Sequence, residues 1–133
     1  ILNADFITDI AKLIIDNFLG IECVKFIGLE MTGNAAKNKN RVWISYPDAF
    51  RASKKAIDLL IGAGIDVGLY NFPLCAVDKM YRSLCEKSIS DYKIRYTERC
   101  EKCCQKDACG GMFAGTVRLS KDYIIPLGKY KYD

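Results

Sequence analysis

The apolar positions at the start of the chain recur at helical spacing. They stand three or four residues apart, which places them on one face of a helix: Ile7, Ile10, Leu13, Ile14 and Phe18. Asn3 or Asp5 is placed to cap this helix and Gly20 to end it. The next run, Cys23 to Ile27, is β-branched and apolar and is closed by Gly28, which predicts a short buried strand.

A polar, glycine-bearing stretch from Met31 to Asn40 predicts a loop, and 42–44 (Val-Trp-Ile) predicts a minor strand. A second helix then has clear boundary signals. Ser45 with Asp48 resembles a capping box, Pro47 suits the first turn, and Gly64 ends the helix. Its expected buried face consists of Phe50, Ala56, Ile57, Leu60 and Ile61.

Residues 65–72 predict another strand, which Pro73 ends, and 78–86 predict a short helix. From there on we expect little regular structure until about Val117 or Tyr123. Helix, strand, helix and strand in this order indicate a parallel βαβ arrangement. Two strands are too few for a stable sheet, so the pattern favours an α/β fold in which the chain forms a fragment of a partial parallel (β/α) barrel.

In such folds the chemistry gathers beyond the carboxyl ends of the strands. The loops after Ile27 and after Asn71 therefore hold candidate residues, among them Glu30. Glu30 is either a cofactor or substrate contact or a carboxylate exposed to water. Asn71 has the same two interpretations, because asparagine before a turn also has ordinary backbone-bonding roles.

Composition narrows the class of protein. The chain has 133 residues, of which 50% are apolar and 27% charged, typical of a single globular domain. A net charge of +4, with basic residues spread along the chain, does not favour nucleic acid as a partner. No apolar run is long enough to span a membrane, and we expect no membrane partner. The absence of histidine excludes acid–base catalysis by His and mixed Cys/His zinc fingers.

Seven cysteines are the main chemical signal, and four of them fall between Cys100 and Cys109. The spacing reads C-x2-C-x5-C over Cys100, Cys103 and Cys109, and Cys75 lies upstream, just after a predicted strand. Four thiolates complete a tetrahedral zinc site or an iron–sulfur site, and the spacing does not decide between them. Gly110 and Gly111 allow the backbone to bend close to such a centre. An odd number of clustered thiols favours a reducing, cytoplasmic setting over a disulfide scaffold.

Alternatives remain for single cysteines. Cys104 is able to replace its neighbour Cys103 as a ligand. Cys23 and Cys85 stand at apolar positions and are expected to be small core residues. A thioredoxin-like redox pair at Cys100 and Cys103 is disfavoured, because a charged loop precedes the motif where a strand is required.

Several segments resemble the C-terminal part of radical S-adenosylmethionine (SAM) enzymes, and the nearest resemblance is to the maturases of the His-Xaa-Ser repeat peptide system. The similarity runs from about residue 24 to 126. It is carried by Phe26-Ile-Gly-Leu-Glu30-Met, Gly33-Asn-Ala, Val42-Trp-Ile44, Tyr70-Asn-Phe-Pro-Leu-Cys75, Ser88-Ile-Ser-Asp-Tyr92-Lys, Cys100-x2-Cys103 and Cys109-Gly-Gly-Met-Phe113-Ala.

The cysteine spacing also resembles the auxiliary-cluster (SPASM or twitch) domains of peptide-modifying radical SAM enzymes. Their fuller motif has a further cysteine where this chain has Phe113, so the resemblance implies one auxiliary [4Fe–4S] cluster, with zinc as a possible substitute. Its implied ligands are Cys75, Cys100, Cys103 and Cys109. Gly28 and Glu30 echo part of the family's cofactor-contact pattern, and with Asn71 they are the expected contacts to S-adenosylmethionine.

The family's C-x3-C-x2-C motif, which binds the SAM-cleaving cluster, does not occur in these 133 residues. We therefore expect a fragment of a longer maturase, inactive alone, whose whole protein acts on a peptide substrate. Residues 1–74 are expected to form the barrel units and 75–133 an irregular Cys-rich metal-binding extension. The alternative is a non-enzymatic α/β domain in which a four-cysteine zinc site serves protein interaction, and a nucleic-acid-binding zinc module is disfavoured. The sequence does not specify the oligomeric state.

Overall fold

The computed structural model describes residues 3–128, and these combine α-helices with a small parallel sheet. After a short 3-10 turn at Ala4–Phe6, helix α1 spans Ile7–Asn17 and strand β1 spans Cys23–Ile27. Two short helices follow, α2 at Gly33–Lys37 and α3 at Lys39–Val42, and then the long helix α4 at Tyr46–Gly62. Strand β2, Asp66–Tyr70, completes the unit.

Strands β1 and β2 pair in parallel, with Cys23 opposite Asp66 and Ile27 opposite Tyr70. A third strand, β3 at Cys85–Glu86, joins β2 in parallel, so the sheet has the order β1-β2-β3. The sequence predicted a parallel βαβ arrangement, and the mixed α/β class with a parallel sheet is confirmed. The predicted helix over 78–86 is instead a 3-10 helix at Lys79–Leu84 that runs directly into β3.

Helix α4 begins as predicted. The Ser45 hydroxyl accepts a hydrogen bond from the backbone N–H of Asp48 at 3.2 Å and donates to the Asp48 carboxylate at 2.5 Å, and Pro47 lies in the first turn. These bonds satisfy a backbone donor that the helix leaves free. Four of the five predicted core positions of α4 are buried, whereas Ile61 is 47% exposed.

The helical layer packs on one face of the sheet. Helix α1 contacts α4, and the buried side chains of α4 meet Val67 and Leu69 of β2 in a single core. The 3-10 segment before β3 is tied to the same layer through Tyr81, whose ring packs edge-on against Phe50. The Tyr81 hydroxyl donates to Asp58 at 2.5 Å and accepts from Lys54 at 2.8 Å.

Three further local predictions are wrong. The stretch predicted as a loop, 31–40, contains α2 and the start of α3, and 42–44 is the end of α3 followed by coil instead of a strand. These short helices contain asparagine and lysine and have no apolar periodicity, so the sequence pattern did not predict them. Strand β1 is also not buried, because it lies at the edge of the sheet and its first and last residues are exposed.

The Cys-rich half has short elements. A 3-10 turn at Asp91–Lys93 leads into β4 at Ile94–Arg95, which pairs antiparallel with β5 at Met112–Phe113. Helix α5, Ala114–Ser120, follows β5 and is held by buried Thr116 and Ser120, whose hydroxyls donate to Phe113 and Thr116 carbonyl oxygens. No helix within residues 3–128 has the length and apolar character needed to cross a bilayer.

Candidate metal centre

The four cysteines that the sequence singled out line the same small cavity. Cys75 lies in the 3-10 turn Leu74–Ala76, which directly follows β2, and the other three come from the segment between β4 and β5. Cys100 and Cys109 are buried, and Cys75 and Cys103 are partly buried. Thiols from two segments that are 25 residues or more apart along the chain therefore lie around one common space.

Turns in the backbone set the thiols in place. The N–H of Cys100 donates to the Thr97 carbonyl at 2.9 Å, and the N–H of Cys103 donates to the Cys100 carbonyl at 3.0 Å. This one-turn hydrogen bond across C-x2-C brings residues three apart to the same side of the chain. The N–H of Cys109 is likewise held by the Gln105 carbonyl at 2.9 Å. The C-x2-C spacing therefore corresponds to a 3-10 turn.

Two of the sulfurs take part in hydrogen bonds. The Cys109 Sγ accepts from the backbone N–H groups of Leu74 at 3.5 Å and Gly111 at 3.4 Å. The Thr97 hydroxyl lies 3.3 Å from the Cys100 Sγ. Donors of this kind stabilise thiolates and tune metal centres. Two backbone N–H groups therefore converge on the buried sulfur of Cys109.

Gly111 explains how the chain turns at the end of this loop. Its φ is +62°, and a Cβ there would lie 2.6 Å from the Ile94 Cγ2 atom and 3.0 Å from the Arg95 carbonyl oxygen. A side chain is excluded both by the left-handed backbone and by the adjacent strand β4. Gly110 meets only ordinary contacts at 3.6 Å, so of the two predicted glycines Gly111 is the required one.

Electrostatics in the cavity disfavour several thiolates at once. Burial first, and then the neighbouring thiols of Cys109, Cys100 and Cys103, raise the pKa of Cys75 to about 11. The pKa of the nearby Tyr96 hydroxyl is raised for the same two reasons, burial first and then Cys109. A metal cation among the sulfurs offsets this repulsion through its positive charge, and thiolates bound to a metal are deprotonated.

The thiols surround the cavity without converging on a point. No group of three or more Cys, Asp or Glu side chains within residues 3–128 is placed to hold a metal ion. A zinc ion needs all of its sulfurs at about 2.3 Å from one centre. A four-iron cluster takes one thiolate at each iron, so its thiolates surround a larger body. The donor set therefore fits a metal centre in number and softness, although the thiols as they are placed within residues 3–128 do not form one.

The cavity itself measures about 20 Å³. That is close to the space that one water molecule occupies. Seating a cluster of eight atoms therefore requires the thiols to rotate or the 103–109 loop to shift outward, whereas a single ion needs no larger space.

The other three cysteines have different surroundings. Cys104 is exposed and its N–H donates to the Leu127 carbonyl, so it does not line the cavity with its neighbour. Cys23 is exposed on β1, and its prediction as a core residue is wrong. Cys85 is partly buried against the core in β3, where burial and then Cys109 raise its pKa to about 12. Sequence reasoning missed that Cys85 lies near Cys109, because β3 was not predicted.

Gly28 and Asn71 meet at the carboxyl ends of β1 and β2. The N–H of Gly28 donates to the Tyr70 carbonyl at 2.8 Å, and the Asn71 amide donates to the Gly28 carbonyl at 3.4 Å. Asn71 also accepts from the Ser88 hydroxyl at 2.7 Å and has a φ of +64°. Both amide atoms of Asn71 are thus engaged inside the protein, which shows a structural role for this side chain.

Glu30 is half-buried beyond the end of β1. Its charge acts on Tyr46, whose pKa is raised first by burial and then by Glu30, while a hydrogen bond to Thr116 lowers it. Gly28 and Asn71 are therefore in contact, and Glu30 lies in the neighbouring region near the Tyr46–Thr116 pair.

A charged pair on the open face of the sheet was not predicted. Lys25 of β1 and Glu86 of β3 reach across Gly68 of β2, and their charged atoms are 2.7 Å apart. Tyr70 also bonds the Glu86 carboxylate, and the Lys25 ammonium lies 5.5 Å from the Tyr70 ring centre. A side chain at position 68 would clash with both charged groups. The glycine inside the predicted strand was the available signal.

Compared with protein-family models, curated proteins and solved structures, the chain matches none of them. The resemblance to radical SAM enzymes therefore stays a prediction, and the geometry of the cysteine cavity is the main argument for function.

Proposed function

We propose that this chain binds an iron–sulfur cluster through Cys75, Cys100, Cys103 and Cys109. The observation that carries the proposal is that thiols from two separate segments line one cavity. Backbone N–H groups directed at the Cys109 sulfur add to it, since such donors are typical of cluster-binding loops.

Within this proposal, the chain is the C-terminal portion of a radical SAM peptide maturase. A bound auxiliary cluster supplies electron relay or a fixed anchor for a peptide substrate. The chain's own residues hold the thiolates, donate to their sulfurs and exclude water from the buried pair Cys100 and Cys109. Because C-x3-C-x2-C is absent from these residues, this chain alone is inactive towards S-adenosylmethionine.

The sheet supports a partial (β/α) barrel. Its strands are parallel and lie in the order in which they occur along the chain, which is the order of neighbouring strands in a barrel wall. Gly28, Glu30 and Asn71 follow the carboxyl ends of two such strands, where barrels place cofactors and substrates. In the longer protein these positions border S-adenosylmethionine and the peptide. Since all seven cysteines are free thiols, we also propose a reducing, cytoplasmic location.

A structural zinc site is the second candidate, and the size of the cavity favours it. About 20 Å³ is nearer to the space of one ion than to that of a cluster of eight atoms. Zinc bound by the four cysteines would then stabilise the Cys-rich half. The chain would serve as a non-enzymatic interaction domain.

Anaerobic reconstitution distinguishes the two candidates. The purified chain, treated with ferrous iron and sulfide, is expected to turn brown and to hold about four irons and four sulfides. The matched variants are Cys103→Ser and Cys104→Ser, which change neighbouring thiols of different exposure. Cys103→Ser is expected to lose iron and colour, whereas Cys104→Ser is expected to retain both.

A colourless chain that holds one zinc under the same treatment supports the zinc candidate and contradicts the cluster. Metal content that is the same in both variants and in the unchanged chain contradicts the ligand assignment itself.

A further inference from the structure

The thiols in and beside the cysteine cavity form a graded series in exposure. Cys100 and Cys109 are buried, Cys75 and Cys103 are partly buried, and Cys104 is exposed to solvent. Cys103 lines the cavity, whereas its neighbour Cys104 does not. The adjacent thiols of Cys103 and Cys104 therefore connect the solvent with the interior of the cavity.

The backbone explains why these two neighbours have different surroundings. Cys103 follows the 3-10 turn Glu98–Lys102 and has an extended backbone. Successive side chains of an extended chain lie on opposite sides. The N–H of Cys104 donates to the Leu127 carbonyl at 3.2 Å, which holds the chain at this point. One thiol of the pair thus meets the cavity and the next meets water.

The rest of the cavity wall offers little to a metal ion on its way in. Apart from the cysteines, its lining is largely apolar and includes Pro73, Leu74, Met112, Ile124 and Pro126. Lys106 is the charged member of the lining, and a lysine ammonium repels a metal cation. A cation that gives up its water beside apolar groups loses hydration energy without compensation. Transfer from one thiolate to the next avoids this cost, because the metal stays coordinated throughout.

The position of Cys104 separates an entry role from a role as a resident ligand. A resident ligand has to reach the common space between Cys75, Cys100 and Cys109, and Cys103 already occupies that side of the cavity. Cys104 has the exposure that contact with a carrier in solution requires. It is also adjacent in sequence to a cavity thiol, which makes the handover intramolecular.

We propose that Cys104 is the entry thiol of the metal centre, which takes a thiophilic metal ion from a thiolate carrier and passes it to Cys103. This inference rests on the proposed metal site and adds a loading step to it. Cys104 displaces the carrier's sulfur from the metal and gives its thiol proton to that sulfur. Cys103 then displaces Cys104 and gives its own proton to the Cys104 sulfur, which restores the Cys104 thiol. The metal keeps its oxidation state in both exchanges.

The test measures the rate of metal loading. The probe is one equivalent of cadmium bound to glutathione, added without oxygen to the reduced, metal-free full chain. Absorbance of the new cadmium–thiolate bonds follows the uptake in a stopped-flow instrument. Cadmium, like zinc, binds thiolates and does not change its oxidation state. Cys104→Ser is expected to load about tenfold more slowly, because the intramolecular handover is lost, and to hold the same final amount of cadmium.

Two further variants serve as controls. Cys23 is also exposed, but it pairs with the first residue of β2, whereas Cys75 follows the other end of that strand. Cys23→Ser is therefore expected to load at the unchanged rate. Cys104→His restores a metal ligand at the entry position and is expected to recover most of the rate, which a merely structural role of Cys104 does not explain.

Thermal unfolding of each variant checks the fold. Cys104→Ser is expected to keep it, because the bond to Leu127 comes from the backbone, and Cys104→Ala repeats the test if the serine variant does not fold. Equal loading rates of Cys104→Ser and the unchanged chain overturn the proposal. A loss of final cadmium in Cys104→Ser also overturns it, since Cys104 would then be a resident ligand.

An equal slowing of loading in Cys23→Ser overturns the proposal as well, since any exposed thiol would then have the same effect. An unchanged chain that takes up no cadmium contradicts the metal site and the entry role together. That result differs from normal uptake at equal rates, which contradicts the entry role alone.

Discussion

Close backbone contact at Gly28 is the sharpest constraint on any single residue near the strand ends. A Cβ at this position would lie 2.8 Å from the Asn71 carbonyl oxygen and 2.9 Å from the Tyr46 ring. Gly28→Ala is therefore expected to destabilise the fold by about 2 kcal/mol, because the backbone oxygen cannot move away. Urea unfolding measures this change.

Gly62→Ala is the matched control for Gly28→Ala. Gly62 ends α4, and nothing lies within 4 Å of a Cβ there. Alanine is the better helix former, so this variant is expected to be unchanged or stabilised by up to about 0.5 kcal/mol. A comparable loss of stability in both variants would contradict the contact at Gly28.

Asn71 combines a left-handed backbone with a buried side chain. Its φ is +64°, it is 6% exposed, and it bonds Gly28 and Ser88. Asn71→Ala loses the bonds and strains the backbone, and is expected to cost about 2 kcal/mol in unfolding free energy. Asn71→Gly loses the same bonds without the strain and is expected to cost about 1 kcal/mol less. Equal values for both variants would show that the backbone is not strained.

For single residues, the sequence indicated which residue types matter but not which other residues they contact. Cys100 and Cys103 were found from their spacing, because a 3-10 turn joins residues three apart whatever the tertiary fold, and Cys75 was found from its place after a predicted strand. The hydrogen bonds of Asn71 depend on Ser88, and the pairing of Lys25 with Glu86 crosses 61 residues. Such contacts follow from the position of β3, which is too short to have a period of its own.

Among the elements, helix α4 depends most clearly on a single cap. Ser45 accepts from the Asp48 N–H, whereas Thr32, the N-cap of α2, makes no such bond with its side chain. Ser45→Ala is expected to lower the unfolding free energy by about 1 kcal/mol, and Thr32→Ala by much less. Thermal melts of the two variants make the comparison. Similar melting temperatures would contradict a stabilising cap at Ser45.

The same cap makes α4 sensitive to acid. The Ser45 hydroxyl and then Arg51 hold the pKa of the Asp48 carboxyl below its ordinary value of 3.8. A carboxyl group whose pKa is lowered by folding stabilises the protein at pH values above its pKa in the unfolded chain. This contribution is lost as the pH falls through its pKa in the folded chain. We expect stability to decrease below about pH 4. Asp48→Asn should flatten this decrease, as measured by urea unfolding from pH 2 to 6, and an unchanged slope would contradict the assignment.

Elements with strong local signals were predicted well, and those set by context were not. Strand β1 was predicted with its observed bounds, and α4 starts at its predicted cap. The burial of β1 was wrong, because edge position is a property of the sheet and not of the strand. Helices α2 and α3 escaped notice because they have no apolar stripe, and both have no buried residue.

Across the whole molecule, the two halves share one hydrophobic core but differ in how much regular structure they contain. Residues 7–70 are held by two longer helices, a parallel strand pair and a continuous core. Between 74 and 113 the helices are 3-10 turns of six residues or fewer, and β3, β4 and β5 have two residues each. So little regular structure orders poorly by itself, and small cores of this kind commonly gain stability from a metal. The cysteine cavity lies in this second half, which makes it the natural place for such a centre.

Metal removal should therefore loosen one half of the molecule and leave the other unchanged. Amide hydrogen exchange of the metal-loaded chain, compared with the chain after chelation, is expected to show faster exchange over 94–113 and little change over α4 and β2. The physical reason is that a bound metal would link Cys75, at the end of β2, to the loop bearing Cys100, Cys103 and Cys109, in addition to the contacts that these segments already make. Cys103→Ser should show fast exchange with or without metal, whereas Cys104→Ser should behave like the unchanged chain. Equal acceleration in both halves would mean that the centre supports the entire fold, and no acceleration would mean that the Cys-rich half is ordered by its own contacts.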